Sequence, residues 1–455
     1  MVVRAARAQW LFLVVAVASC GGRSVTNDGA GGGREAGGGH SEHVSGGAKE
    51  GGPTGAGGSS SDVRGGTTQP PDSVSGNGGR ATGGTGATAA TGGTLGAAGA
   101  PTLDTSRAHV EVPHGSYRVV GFSADQGDGK FWEDAQTVDA VDLSIESGVG
   151  ALALLDQSGE LVGAGVTSCA APRAGVPERL QVPAAFPTIQ AALDAANAFD
   201  IVEVAAGTYR EHLVARGPVT LLGAGAGVTF LDGDGKAASI LDVSQAYAAV
   251  VAGFTFRNAG QKSGCADSDD PGACSGNWYS AAVYVSGDGA DAACPPSLFF
   301  FHNAVTASHM GLFVNFRARA IATNNLFYGN RYAFVANHHQ DAALLANNVF
   351  YDNDGVAIFG QASYLSIINN IVLGGGSAFE KMYVQSGFVG CNVVFGSDPG
   401  FIESPVVLDP AFVNAPGGDF RLSPDSPVRG RGCLGGPLHD ASDDPGAYGG
   451  PLGNW

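Results

Sequence analysis

The sequence predicts an all-β chain built around a right-handed parallel β-helix, a solenoid of stacked coils. Asn303, Asn325, Asn348, Asn370 and Asn392 recur at intervals of 22, 23, 22 and 22 residues. A fixed period of this kind marks a repeat architecture in which each unit stacks on its neighbours. Each asparagine also opens an apolar pair, from Ala304-Val305 to Val393-Val394. The text between consists of short β-like runs. A leucine-rich repeat has a similar period but needs a leucine-dense consensus and a helix-forming half, and neither is present. Three strands of about four to five residues plus three bends fill such a coil. Equivalent residues then lie about 4.8 Å apart, so the asparagines can hydrogen-bond side chain to side chain up the stack.

The elements follow in order. Residues 1–20 read as a secretory signal, with Arg4 and Arg7, an apolar run from Leu11 to Ala18, and Ser19-Cys20. The run is too short to remain as a membrane-spanning helix. Val17-Ala18-Ser19-Cys20 resembles the bacterial lipobox, which implies lipid attachment to Cys20. Gly21 follows instead of an Asp, so the same rule points to the outer membrane, with simple secretion as the alternative. Residues 21–100 hold 28 glycines, and no aromatic occurs between Phe12 and Tyr117. Such a segment buries too little apolar area to offset its ordering entropy, so residues 21–103 are expected to be a disordered tether. Its root-mean-square reach would be roughly 50 Å.

Residues 104–172 read as a small β-rich unit of unassigned role. Its strands are expected at Val110–Val112, Tyr117–Val120, Val138–Ile145 and Ala151–Leu155, with turns at Gly127-Asp128-Gly129 and Gln157-Ser158-Gly159. The solenoid is assigned to 178–455. It opens with a helix after Pro187 or Thr188, whose Ile189, Ala192, Leu193 and Ala196 share one face and can cap the first coil. Strands are expected at Ile201–Val204, Val219–Leu222 and Ser239–Leu241, and a turn at Ala206-Gly207-Thr208. From Asn258 to Ser297 the period breaks, which reads as an insertion on the binding face.

This stretch resembles the start of pectin lyase-like right-handed β-helix proteins. The matching text is Phe186-Pro187-Thr188-Ile189-Gln190-Ala191-Ala192, Gly207-Thr208-Tyr209-Arg210-Glu211 and Leu222-Gly223-Ala224-Gly225. The C-terminal text resembles exported members of that superfamily, at Asp409-Pro410-Ala411-Phe412-Val413, Gly418-Asp419-Phe420-Arg421-Leu422 and Asp444-Pro445-Gly446-Ala447-Tyr448-Gly449-Gly450. The resemblance implies the fold and leaves the activity open, because the fold hosts many chemistries. The family's catalytic motifs are not matched. The pectin methylesterase motif Asp-x-Ile-Phe-Gly meets Val356-Ala357-Ile358-Phe359-Gly360, without the Asp. The epimerase motif Asp-Pro-His meets only Asp398-Pro399-Gly400 and Asp409-Pro410-Ala411. The pectate lyase motif Trp-Ile-Asp-His is absent.

The period also brings turn residues together. Arg317 lies 22 residues before His339, Arg319 lies 22 before Asp341, and Tyr364 lies 23 after Asp341. The expected edge offers Arg317, Arg319, His338, His339 and Tyr364 to an acidic sugar. Arg317, His339 and Asp341 are the candidates for acid–base work. The plain alternative is a surface stack in which Arg319 and Asp341 form an exposed ion pair, worth well under about 1 kcal/mol. Beside this edge run Leu312-Phe313-Val314, Phe334-Val335-Ala336 and Ala357-Ile358-Phe359. Alternation sends either Leu312 and Phe334, or Phe313, Val335 and Ile358, outward. Such an apolar row is either covered by the insertion or open as a stacking platform for sugar rings.

Six cysteines remain beside Cys20, and an exported chain is expected to pair them. Fifteen pairings are possible, with Cys265 and Cys274 the nearest in one loop. Asp267, Asp269 and Asp270 offer carboxylates to Ca²⁺ but lack the spacing of a known calcium loop, so neither metal nor cofactor is expected. The net charge of −18 excludes a nucleic-acid footprint and gives no attraction to polyanions. The sequence reading is a monomeric, lipid-anchored surface protein that binds carbohydrate or mediates surface interaction. The alternative is a polysaccharide lyase or glycoside hydrolase.

Overall fold

The computed structural model describes residues 107–433 and 444–453, except 125–128, 145–148, 158–160, 167–176, 261–280, 289, 291–294, 339–340, 362, 383–384, 403 and 451. The signal, the tether, Cys20, Cys169, Cys265, Cys274, Cys294, His339 and the Asp267–Asp270 run lie outside them.

Each full coil contributes one strand to each of three parallel sheets. Sheet 1 has eight short strands, from Gly207–Tyr209 to Val393–Phe395. Sheet 2 has seven strands, from Leu213–Arg216 to Ser377–Met382. Sheet 3 has nine strands, from Arg179–Val182 to Gln385–Gly390. The chain is a parallel β-helix, as its period requires. One full coil runs through Met310–Asn315, Arg319–Thr323 and Leu326–Tyr328, and the next through Tyr332–Asn337, Ala342–Ala346 and Val349–Tyr351. Parallel register stacks like on like: Leu312 pairs Phe334, Phe334 pairs Ile358, and Ile358 pairs Phe379. These four fill the interior together with Phe256, Phe300, Phe327 and Phe350.

The asparagine ladder sits where sheet 3 turns into sheet 1. The residue before each rung is left-handed: His302 at φ +54°, Asn324 at +53°, Asn347 at +52°, Asn369 at +55° and Cys391 at +55°. Asparagine accepts that conformation more readily than most side chains, which suits it to three of the five corners. The following asparagine then turns inward. Asn348 Oδ1 accepts from the Asn325 backbone N–H and side-chain amide, each at 3.0 Å. Asn348 Nδ2 donates to Asn370 Oδ1 at 3.0 Å and to the Ala322 carbonyl at 2.9 Å. All five rungs are buried. A second ladder stands five residues further on. Asn330 Oδ1 accepts from the Ser308 N–H at 3.1 Å, and Asn353 Oδ1 accepts from the Asn330 N–H at 3.1 Å.

The predicted helix forms at Ile189–Ala195 and buries Ile189, Ala192 and Leu193 against the first coil. Thr188 is its N-cap and accepts from the Ala191 N–H. Glu211 reaches across and accepts from the N–H groups of Ile189 at 3.1 Å and Gln190 at 3.0 Å. This supplies the free amides of the helix start with a carboxylate. The turn expected at Ala206-Gly207-Thr208 is not found. Gly207–Tyr209 is a strand of sheet 1, because pairing with Thr229–Leu231 outweighs its turn-like composition.

The region read as one insertion also differs. Ala281–Ser286 is a full strand of sheet 2, so the coil continues and the added residues lie on either side of it. The expected strand at Ser239–Leu241 lies later, at Leu241–Gln245. The described residues of the 104–172 unit form a four-stranded antiparallel sheet between Arg107 and Val166. Two of its expected strands are halves of one, Arg107–Ala124, whose register shifts between Glu111 and Gly115 around Pro113. A proline tolerates a strand at such an irregularity.

Two outward faces of the solenoid are dressed by other parts of the chain. Val120, Phe122, Ala151, Ala153 and Leu155 of the antiparallel sheet pack on Phe299, Phe301, Ile321 and Leu344 of sheet 3, with the Phe122 and Phe299 rings 5.8 Å apart. Phe420, Leu422, Val428 and Ala447 of the C-terminal segment cover Leu326, Val349, Ile371 and Val393 of sheet 1. Among the described residues no helix is long and apolar enough to cross a membrane.

Candidate functional site

The predicted edge lies where sheet 2 turns into sheet 3. The three turns there differ in length: 316–318 has three residues, 338–341 has four and 362–363 has two. Fixed-interval arithmetic therefore slips by one. Arg319 pairs with Ala342, and Ala342 with Tyr364, so the row is Arg319–Ala342–Tyr364. Asp341 stands beside Ala318 instead, and the expected exposed ion pair between Arg319 and Asp341 is corrected to two separate environments. Arg319 and Tyr364 are half-buried, and burial pushes the Arg319 guanidinium down from its ordinary value. Arg317 is exposed at the turn apex with φ +67°. His338 lies flat on Phe316, with ring centroids 4.3 Å apart and planes 10° apart.

Asp341 is 0 % exposed, which overturns its reading as a surface group. Burial pushes its carboxyl up to about 9, against the opposing pull of the Arg317, Ala318 and Asn337 N–H groups. Those amides surround the carboxyl, but no hydrogen bond closes on either oxygen. Asp200 precedes a sheet 3 strand in the same way and is also buried. It accepts from the N–H groups of Glu178 at 2.9 Å and Asn197 at 2.7 Å. The position is a turn cap, and Asp341 fills it as a neutral acid. Between the ordinary carboxylate range and pH 9 the folded chain keeps a proton that the unfolded chain has released. Stability is therefore lost as pH rises through that window. Asp341→Asn should raise the melting temperature at pH 8 and leave it nearly unchanged at pH 4. Equal shifts at both values would show that the carboxyl is ionised in the folded chain.

The outward row of sheet 2 adjoins this edge. It comprises Ala281, Tyr284, Met310, Phe313, Tyr332, Val335, Val356 and Phe359. Ile358 belongs to the interior set, so the outward partner of Phe313 and Val335 is Phe359. The row is buried, and no described residue from outside sheet 2 joins it. At its sheet 3 end stand Ser286, Asn315, Asn337 and Gln361 in register. Asn315 Nδ2 lies 3.4 Å from the Tyr284 hydroxyl. Asn315 Oδ1 and Asn337 Oδ1 are buried and accept no hydrogen bond. At the opposite end His309 meets the Tyr332 ring edge-on at 5.7 Å, and the Arg331 guanidinium lies 5.8 Å from the same ring. Burial and Arg331 push His309 down to about 4, so its imidazole is neutral at physiological pH.

Sequence reasoning missed Asn315, Asn337, His309 and Arg331. Their signal was available in repeating positions: His309 and Arg331 each precede a sheet 2 strand, and Asn315 and Asn337 each close one. Val356, at the place where the pectin methylesterase motif would carry its Asp, faces outward in this same row. Among the described residues no three His, Cys, Asp or Glu side chains converge on a metal position. The Asp267–Asp270 run and the Cys265–Cys274 pair lie outside the described residues. The disulfide that is seen joins Cys391 to Cys433, with Cα atoms 5.8 Å apart.

No family model matches the sequence, and no curated protein matches it. Among solved structures, the pectin methylesterase PemA from Erwinia chrysanthemi is similar at 15 % identity and TM-score 0.30, over 49 % of this chain and 79 % of that one. A pectin methylesterase from carrot is similar at 14 % identity and TM-score 0.29, over 53 % and 77 %. The catalytic domain of a GH87 alpha-1,3-glucanase is similar at 11 % identity and TM-score 0.26, over 65 % of this chain and 66 % of that one.

Proposed function

We propose that the outward face of sheet 2 binds carbohydrate, and that the protein is a surface-displayed binding module held by a lipid on Cys20. The observation that carries this reading is the pair of buried, unpartnered amide oxygens of Asn315 and Asn337 beside an aromatic row. A buried acceptor without a donor costs about 1–3 kcal/mol, so such groups need an explanation. Sugar hydroxyls supply the donors that these oxygens lack. Tyr284, Phe313 and Tyr332 supply ring faces and edges suited to the apolar side of a pyranose. Arg317, exposed at the adjoining turn, can hold a sugar carboxylate. The row is buried in the free chain, so occupancy requires that it open.

A binding role is favoured over catalysis because Val356 occupies the row where a reacting carboxylate would be needed, and Asp341 is sealed behind its turn. A glycan array probed with the mature chain tests the reading, with a reducing-end assay on every hit. Asn337→Leu should abolish binding while leaving the melting temperature nearly unchanged, because it removes a buried amide oxygen that lacks a donor. Arg317→Ala should weaken acidic glycans more than tenfold and leave neutral ones unchanged, since a hydrogen bond to a charged group is worth about 1.5–3 kcal/mol. Binding untouched by Asn337→Leu would remove sheet 2 as the site, and new reducing ends would establish the lyase or hydrolase alternative. The anchor is tested separately by mass analysis of the mature N-terminus, where a terminus other than lipidated Cys20 would overturn it.

A further inference from the structure

The left-handed residues that precede the ladder do more than turn the chain. Their side chains point outward along one corner and hold the C-terminal segment. The Cys433 N–H donates to Asn369 Oδ1 at 2.8 Å, and the Gly446 N–H donates to the Asn369 carbonyl at 2.8 Å. Asn347 Nδ2 reaches the Asp444 carbonyl at 3.2 Å and the Gly446 carbonyl at 3.5 Å. Asn324 Nδ2 donates to the carbonyls of Ala447 and Gly449, both at 2.8 Å. His302 Nε2 lies 2.6 Å from the Leu452 carbonyl. Burial pushes His302 down to about 4, so the neutral ring donates through Nε2. From 444 to 452 the segment therefore runs back along the solenoid, one rung after another.

The side chains of the track meet the backbone of the segment, so its sequence is selected by what fits closely. Gly446 and Gly450 have φ +89° and +69°. A Cβ on Gly446 would stand 2.7 Å from Ile371 Cδ1, and one on Gly450 would stand 2.9 Å from Asn347 Oδ1. Asp444 is fixed on its other side by Arg429 and by the Gly430 N–H, each at 2.8 Å. Where the column reaches its last member, cysteine replaces asparagine, and Cys391 bonds Cys433 across 42 residues.

The geometry points to a redox-locked strap: residues 444–450 and Leu452 seat on the His302–Asn324–Asn347–Asn369 track, and the Cys391–Cys433 disulfide keeps them seated. In a reducing compartment the strap is released, and the sheet 1 row of Leu326, Val349 and Ile371 loses the cover of Ala447 while Phe420, Leu422 and Val428 stay in place. After export a disulfide-bearing oxidant closes it by thiol–disulfide exchange, taking up two electrons and two protons from the Cys391 and Cys433 thiols and leaving as a dithiol. The inference is independent of any ligand on sheet 2.

Deuterium exchange on the full chain, with and without dithiothreitol, tests it. Two electrons and two protons pass from one dithiothreitol to the sulfur pair, leaving two protein thiols and one cyclic disulfide. Reduction, verified by thiol labelling, should speed exchange at Cys433 and Gly446 more than tenfold while Asn348 and Phe350 keep their protection. The double variant Cys391→Asn, Cys433→Ser restores the asparagine consensus of the track without the covalent link. It should match the reduced chain. Unchanged strap exchange in either case would overturn the lock, as would a parallel rise at Asn348, which would mean that the solenoid itself unfolds.

Discussion

Replacing Asn348 by Leu is expected to lower the unfolding free energy by about 3–5 kcal/mol, at about 1–3 kcal/mol for each buried group stranded. The Asn325 N–H loses its acceptor, and the Ala322 carbonyl and Asn370 Oδ1 each lose a donor. Leu adds apolar volume, but the interior of the corner is occupied by the rungs above and below. Asn392→Leu is the control. As the last rung it accepts from the Asn370 N–H and amide and donates to the Ile367 carbonyl, but it has no donation to a further rung. Its loss should be smaller by that one bond. Urea unfolding of both variants decides the matter, and equal losses would mean that the rungs act independently.

Phe327→Ala is expected to cost about 3–5 kcal/mol, the range for emptying a large core side chain. Phe327 is fully buried and stacks on Phe350 with centroids 5.1 Å and planes 9° apart, while Phe300 lies 6.4 Å away on the other side. The flanking rings are held by their own strands, so the cavity cannot collapse readily. The denaturant midpoint should fall with little change in slope, because the surface exposed on unfolding is nearly the same. A loss below about 1 kcal/mol would show that the stack repacks around the gap.

The ladder was legible because its chemistry demands the same residue at every coil, and a repeated residue shows as a period. The capping helix was legible through Thr188 and its apolar face. The register of the predicted edge was misread because turns absorb length changes that strands cannot. Turns of three, four and two residues shift Asp341 away from Arg319 while leaving Phe334 aligned with Ile358. The second ladder was hidden by its first member, Ser308, which accepts the role without repeating the letter. The inward or outward choice for Phe313 and Leu312 needed the register, since alternation alone allows both. The strap was out of reach for another reason. Its bonds join residues up to 150 positions apart, and no local pattern encodes a contact of that separation.

That separation changes how the molecule should come apart. A bare solenoid is nearly one-dimensional: each coil touches its two neighbours, and end coils can fray without disturbing the middle. Here the C-terminal segment bridges the coils of His302, Asn324, Asn347 and Asn369 at once, and the antiparallel sheet bridges those of Phe299, Ile321 and Leu344 on another side. Loss of one of these coils loosens ties to several. The central stack is thereby converted from a row of semi-independent units into a single cooperative body, which should melt in one transition although its sequence is written as repeats.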